Sequence, residues 1–304
     1  MEGRRWPVRD SCRALVGQHR ARNDRDCWRN QFAPAVFARL VMLLRRLDDY
    51  QSWQIQFAGT SLLIDPWLDD EPISGAFDRR HGRGFTTHTD LLRENATISA
   101  VLLCTSVNDH LRPNTLRLLG DLPVHGNLKA AKAARDAGCS DTRVCTPGKS
   151  VDVECREGGV LRVTATKCGL PLGLIATGWM IEAIDHNDDD RGRVWIEPHQ
   201  PTVETAEWVR TRGPVDVAVL PTQSVVAVVV PVTAGPKRTA AAASACGARA
   251  VVPTATDPRR DMRWWQKALY FVAGGDDHTR RLLHGRSELI SLRASDWLDV
   301  RSGR

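Results

Sequence analysis

The spacing of hydrophobic positions changes several times along the chain, and each change marks an element. Over 52–57 (SWQIQF) apolar and polar residues alternate; the pattern breaks at Ala58-Gly59-Thr60 and resumes in SLLIDP, 61–66. Alternation on both sides of a glycine turn predicts a β-hairpin, because successive strand side chains point to opposite faces. SAVLLC, 99–104, is apolar throughout, the pattern of a strand buried on both faces. Pro113 and Gly120 bracket a short helix, and a second helix covers 128–139 with Gly138 as its stop. Short strands are predicted at 122–126 and 142–148. Three strand runs separated by glycines fill 149–184, and the polar stretch 186–193 leads into VWIEPH, 194–199. Helix and strand then alternate: helix 204–213, strand 215–221, helix 235–247, strand 248–253, helices 259–272 and 276–284, strand 288–293. Residues 71–90 are polar and read as loop. No fixed-period repeat or Gly/Ser/Pro linker divides this body, so one α/β domain with two sheets is the most economical arrangement.

Upstream of Ser52 the pattern differs. Residues 1–31 have no period, whereas AVFARLVMLLRR, 35–46, is mainly apolar with Arg39, Arg45 and Arg46 interrupting it. That run is too short to span a bilayer and predicts a basic amphipathic helix lying on a membrane or on the body.

Charge changes the picture at this point. Lys plus Arg is 42 and Asp plus Glu 36, a net +6 with pI near 9.0, which suggests a nucleic-acid partner. Residues 1–46 hold eleven Arg, no Lys and four acids, a net +7, leaving −1 for the other 258 residues. The chain therefore divides into a basic tail, 1–46, and a neutral body, 47–304, and nucleic acid is disfavoured as a partner of the body. An Arg-rich, Lys-free tail has the bias of a targeting segment, although its acids run against that reading; a plain tail and a functional basic arm are the alternatives. Eight cysteines with no Cys-x-x-Cys pair read as buried thiols in a reducing compartment. No apolar run reaches the roughly 18–20 residues of a transmembrane helix.

The block 98–139 (ISAVLLCTSVNDHLRPNTLRLLGDLPVHGNLKAAKAARDAGC) resembles the metallo-β-lactamase superfamily, in which a buried strand runs into a His-x-His-x-Asp-His loop and then a short helix. Pro113-Asn114-Thr115-Leu116 is similar to the helix start of its lactonase-like branch, and Ile64-Asp65-Pro66 to that branch's opening signature. Later blocks at 192–199, 213–221 and 248–257 fall in the same order. The subgroup it resembles most is the plant and cyanobacterial one, in which the first histidines are lost and a Glu-Pro-His follows a later strand. The resemblance implies a four-layer αββα metallo-β-lactamase sandwich and a degenerate metal site. It implies metal-dependent hydrolysis of a small lactone, ester or phosphoester, with a chloroplast location (cytoplasm as the alternative). Oligomeric state stays open.

The departures from the family pattern bear on function. Aligning Asp109-His110 with the family's Asp-His places Thr105 and Val107 at the two preceding histidine positions. VTATKCG, 163–169, lacks the next histidine. Glu197-Pro198-His199 stands where the bridging Asp belongs, and Thr254-Ala255-Thr256-Asp257 where the last histidine belongs. The resemblance leaves Asp109, His110 and His199 as ligands for Zn or another transition metal, with Asp109 as the catalytic group that holds the attacking water. Asp257, Cys168 and Glu197 are further candidate ligands or hydrogen-bond acceptors to them. The other readings are a non-catalytic binding or scaffold member, with Asp109 and His110 as fold-keeping residues, and, weakest, a nucleic-acid-processing member. Asp65 is expected to cap its turn, and His81 and His88 to be solvated. VVAVVVP, 225–231, is expected to be a buried strand or lid, with the lining of an apolar substrate pocket as the alternative, and Trp264-Trp265 a half-buried helix face, with stacking on bases as the alternative.

Overall fold

The structure, a computed structural model, describes residues 40–75, 77–94 and 97–303. The targeting-segment expectation, and Cys12 and Cys27, lie outside these residues.

The first sheet contains β1 (Leu43–Arg46), β2 (Trp53–Phe57), β3 (Thr60–Ile64), β4 (Ile98–Leu103), β5 (Val124–Gly126) and β6 (Thr142–Val144). A last strand, β17 (Trp297–Asp299), closes it outside β1. The second sheet contains β7 (Ser150–Glu154), β8 (Val160–Lys167), β9 (Thr177–Ile184), β10 (Asp190–Ile196), β11 (Val217–Pro221), β14 (Ala250–Thr254) and β16 (Glu288–Leu289). Its order is β16-β14-β11-β10-β9-β8-β7, with β10, β11 and β14 parallel. A small third sheet joins β12 (Gln223–Ala227), β13 (Val230–Thr233) and β15 (Tyr270–Gly274).

Strand alternation explains the layers. In β4, Ala100 and Leu102 enter the core between the sheets, together with Trp53, Ile55 and Phe57 of β2 and Trp179, Ile181 and Ala183 of β9. A short helix, α1 (His88–Arg93), precedes β4, whose odd residues, Val101 and Leu103, face the other way, onto Leu116 of α2 (Pro113–Leu119) and Ala130 and Ala134 of α3 (Leu128–Asp136). In the second sheet Met180, Trp195, Ala218 and Val251 similarly face α4 (Val203–Arg210) and α5 (Pro236–Cys246), through Ala206, Val209, Ala242 and Ala243. Helix, sheet, sheet and helix thus form the expected αββα sandwich, and Leu40–Arg304 is one compact unit.

Five local expectations change. The described end of the 35–46 run is strand, not helix: Leu44 pairs with Ile55 on one side and Leu298 on the other. Its arginines are buried. Arg45 makes two bonds to Glu94, and the Arg46 guanidinium lies over Trp53 and donates to the carbonyls of Tyr50 and Leu292. The helix expected over 259–272 is only α6 (Trp264–Leu269), because Tyr270–Gly274 pairs with β12. Of the run 225–231, Val225 is a buried strand residue that lines a pocket, whereas 228–231 form an exposed hairpin tip, with Val229 82% exposed; Trp264 is 83% exposed. His81 is not solvated: it lies between the Trp67 and Phe85 rings at 3.7 and 3.8 Å. The six described cysteines are free and buried, as expected.

Candidate metal centre

The chemistry-bearing side chains follow strand ends. Asp65 follows β3, Cys104 follows β4 and leads into the Asp109-His110 loop, Cys168 follows β8, and Glu197 and His199 follow β10. Each strand is locked by its buried core, so the first residues beyond it are held without secondary structure of their own.

His110 is fully enclosed, and its Nδ1 lies 2.7 Å from Asp65 Oδ2. Asp65 Oδ1 accepts the backbone N–H of Cys104 at 2.8 Å. Asp65 thus orients a histidine instead of capping its own turn, and it does so at φ +47, a region that Asp tolerates better than most residues. His110 Nε2 is 3.8 Å from Asp109 Oδ2. Burial alone pulls the His110 imidazole down, but the Asp65 and Asp109 carboxylates overcome it and push it up to about 9. Gln51 holds Asp109, donating to its carbonyl at 2.7 Å and to Oδ2 at 3.2 Å, and the Tyr50 hydroxyl donates to Oδ2 at 3.4 Å.

The His199 ring lies 4.6 Å from that of His110. Burial, and then the charge of His110, hold it well below the usual histidine range, so it is a neutral imidazole. Its Nδ1 has no hydrogen-bond partner. Glu197 Oε1 accepts the backbone N–H groups of His199 and Gln200 at 3.1 and 3.3 Å, while Oε2 has no partner. Burial pushes its carboxyl up to about 7 against the pull of those donors. Burial also pushes the Cys168 thiol upward.

Donor atoms lie within 4.8 Å of one another in two described groups: Asp65, Cys104 and His110, and Cys168, Glu197 and His199. The sequence-derived trio Asp109, His110 and His199 is not one of them, although His110 touches both other members. Thr105 donates its hydroxyl to the Ile175 carbonyl, and Val107 is 41% exposed. Asp257 is exposed and stands apart from both groups. Cys104 and the orienting role of Asp65 escaped sequence reasoning; their position at the ends of neighbouring strands is the one signal that could have suggested them.

A pocket of about 200 Å³ opens over Asp109 and His199, and its wall is largely apolar, with Leu172, Val225, Met262 and Tyr270. Two buried donor atoms without partners beside a thiol suit a transition metal, since thiolate, imidazole and carboxylate are all zinc ligands.

Two sheets face to face between helix layers, with imidazole, carboxylate and thiol donors beyond the strand ends, define a metallo-β-lactamase-type fold. The family model described as a beta-lactamase superfamily domain matches residues 48–255, and the chain belongs to that family. No curated protein matches the chain significantly. Among solved structures it is similar to a metallo hydrolase from the hyperthermophilic archaeon Ignicoccus hospitalis, with TM-score 0.60 and 15% identity over 85% of this chain and 97% of that one. An isothiocyanate hydrolase from Delia radicum gut bacteria has TM-score 0.59 and 16% identity over 84% and 98%. CmlA, a diiron beta-hydroxylase from Streptomyces venezuelae, has TM-score 0.60 and 15% identity over 86% of this chain and 54% of that one. At these identities the likeness concerns the fold. No described helix is long and apolar enough to cross a membrane.

Proposed function

We propose that this protein is a metal-dependent hydrolase of a small, largely apolar lactone, ester or phosphoester. The lactonase-like branch, and its plant and cyanobacterial subgroup, are the part of the superfamily that the Glu197-Pro198-His199 run favours. The observation that carries the proposal is the His110–His199 pair, rings 4.6 Å apart, with His199 and Asp109 both lining the pocket. In this reading His110 and His199 hold a single transition metal, and Asp109 completes or adjoins its ligand set. Such an ion supplies a Lewis acid and lowers the pKa of water.

The chain's own groups do the rest. Asp65 fixes the His110 tautomer through Nδ1 and leaves Nε2 toward Asp109. Tyr50 and Gln51 hold the Asp109 carboxylate, which accepts a proton from water at Oδ2. The apolar wall excludes bulk water and selects an apolar substrate body.

Full-length protein prepared with zinc is expected to retain about one ion per chain and to cleave at least one member of a lactone, ester and phosphodiester panel. Metal-free protein after that preparation would sink the proposal. A second reading, a non-catalytic binding member of the fold, is favoured by Thr105 and Val107 at the lost histidine positions. It requires no turnover and a melting temperature that chelators leave unchanged.

A further inference from the structure

The two buried donor groups are built differently. In the Asp65–Cys104–His110 group, both Asp65 oxygens and His110 Nδ1 already have hydrogen-bond partners. It is a closed network that orients His110. In the Cys168–Glu197–His199 group, Glu197 Oε2 and His199 Nδ1 have none, although Glu197 and Cys168 are 1% exposed or less and His199 5%. A buried polar atom without a partner is destabilising, and an unmade bond of this kind calls for a ligand.

Two further observations point the same way. The Glu197 carboxylate is not free to swing out: backbone N–H groups of His199 and Gln200 both bond its Oε1, which fixes the direction of Oε2. Gly178 on β9 keeps the space beside it open. A Cβ there would stand 2.7 Å from Glu197 Oε2 and 2.5 Å from Thr166 Oγ1. The Gly178 backbone is ordinary strand, so the room for the carboxylate explains the glycine.

We propose that Cys168, Glu197 and His199 ligate a transition metal ion through sulfur, oxygen and nitrogen. The inference rests on the metal-dependent reading above and deepens it: Cys168 and Glu197 join His199 as ligands. His110, its ring 4.6 Å from that of His199, stays in the ligand set as in that reading, and Asp109 adjoins it on the pocket side. On binding, the Cys168 thiol loses its proton to solvent and the thiolate takes the ion. A sulfur, nitrogen and oxygen set favours zinc or cobalt over calcium or magnesium.

Full-length protein loaded with Co(II) tests this. One bound ion with a near-ultraviolet sulfur-to-cobalt charge-transfer band is the expected result. Cys168→Ser is expected to lose that band and to bind Zn(II) at least about tenfold more weakly. Cys246→Ser, which removes a buried thiol of α5, is expected to keep both. Glu197→Gln, close in shape to the native side chain, is expected to keep the band and to weaken Zn(II) by about tenfold or more. If Cys168→Ser does not fold, the wild-type band and the Glu197→Gln affinity decide, and absence of either effect overturns the ligand set. Cobalt bound without the band, or a band that survives Cys168→Ser, overturns this ligand set and leaves the hydrolase reading standing. Wild-type protein that binds neither Zn(II) nor Co(II) overturns both.

Discussion

His110 Nδ1 and Asp65 Oδ2 lie 2.7 Å apart, with both side chains buried. The contact ties the loop after β4 to the end of β3 and decides which imidazole nitrogen of His110 is left toward Asp109. It also makes His110 a cation in the metal-free protein, since it is pushed up to about 9.

Stability of the metal-free protein should therefore depend on pH. The unfolded imidazole titrates near 6.5, so the folded protein binds the extra proton between that value and about 9. The stabilisation is complete below about 6.5 and is lost as pH rises through about 9, a fall of about 3 kcal/mol. Glu197, pushed up to about 7, adds a loss of the same sign, complete by that pH. Denaturant titrations from about pH 6 to about pH 10 measure this, and a flat profile would show that His110 is neutral. Asp65→Asn should remove most of the alkaline part of the slope and destabilise the protein at neutral pH by about 3 kcal/mol or more, because it breaks a buried pair.

Gly178→Ala should lower stability by about 1–3 kcal/mol, since the new methyl group meets Thr166 Oγ1, Glu197 Oε2 and the Ile196 carbonyl, all within 2.8 Å. The same substitution should reduce zinc retention. Thermal melts with and without zinc separate the two effects, and an unchanged zinc affinity would detach Gly178 from the metal centre.

Metal removal should destabilise. With zinc at about a hundredfold excess over Kd, the bound ion stabilises the native state by about 2.7 kcal/mol, so a chelator should lower Tm visibly. His199→Ala should abolish both the zinc content and the chelator effect, and Asp109→Asn should suppress turnover of any substrate found. A His199→Ala protein that keeps its zinc contradicts the role given to that residue.

The hairpin of β12 and β13 should tolerate charge at its tip but not at its base. Val229 is 82% exposed, so Val229→Asp should change stability by less than about 0.5 kcal/mol. Val225 is buried and lines the pocket, so Val225→Asp should cost about 2 kcal/mol or more and impair binding of apolar substrates. Urea unfolding of the two variants makes the comparison.

Much of the fold was readable from period and turn residues. The apolar run of β4, the Pro113–Gly120 helix and the glycine turn of β2 and β3 report local burial, and local burial is what composition and spacing encode. The misreadings share a cause. Leu43–Arg46 looked helical and Tyr270–Gly274 looked like the end of a helix, yet each became a strand because a distant strand, β17 or β12, supplied its hydrogen bonds. Residues 228–231 looked buried, as part of the apolar run 225–231, because sequence shows apolarity and not which elements are left to cover it.

By itself, the chain's pattern determined an α/β domain with two sheets, and its resemblance to a known family singled out Asp109, His110 and His199 as residues of interest. Only the tertiary structure decided that Asp65 orients His110, that Cys168 and Glu197 stand with His199, and that Asp257 does not. Metal-binding geometry depends on donor atoms a few ångströms apart, contributed here by β3, β4, β8 and β10, whose separation in sequence carries no information about that distance.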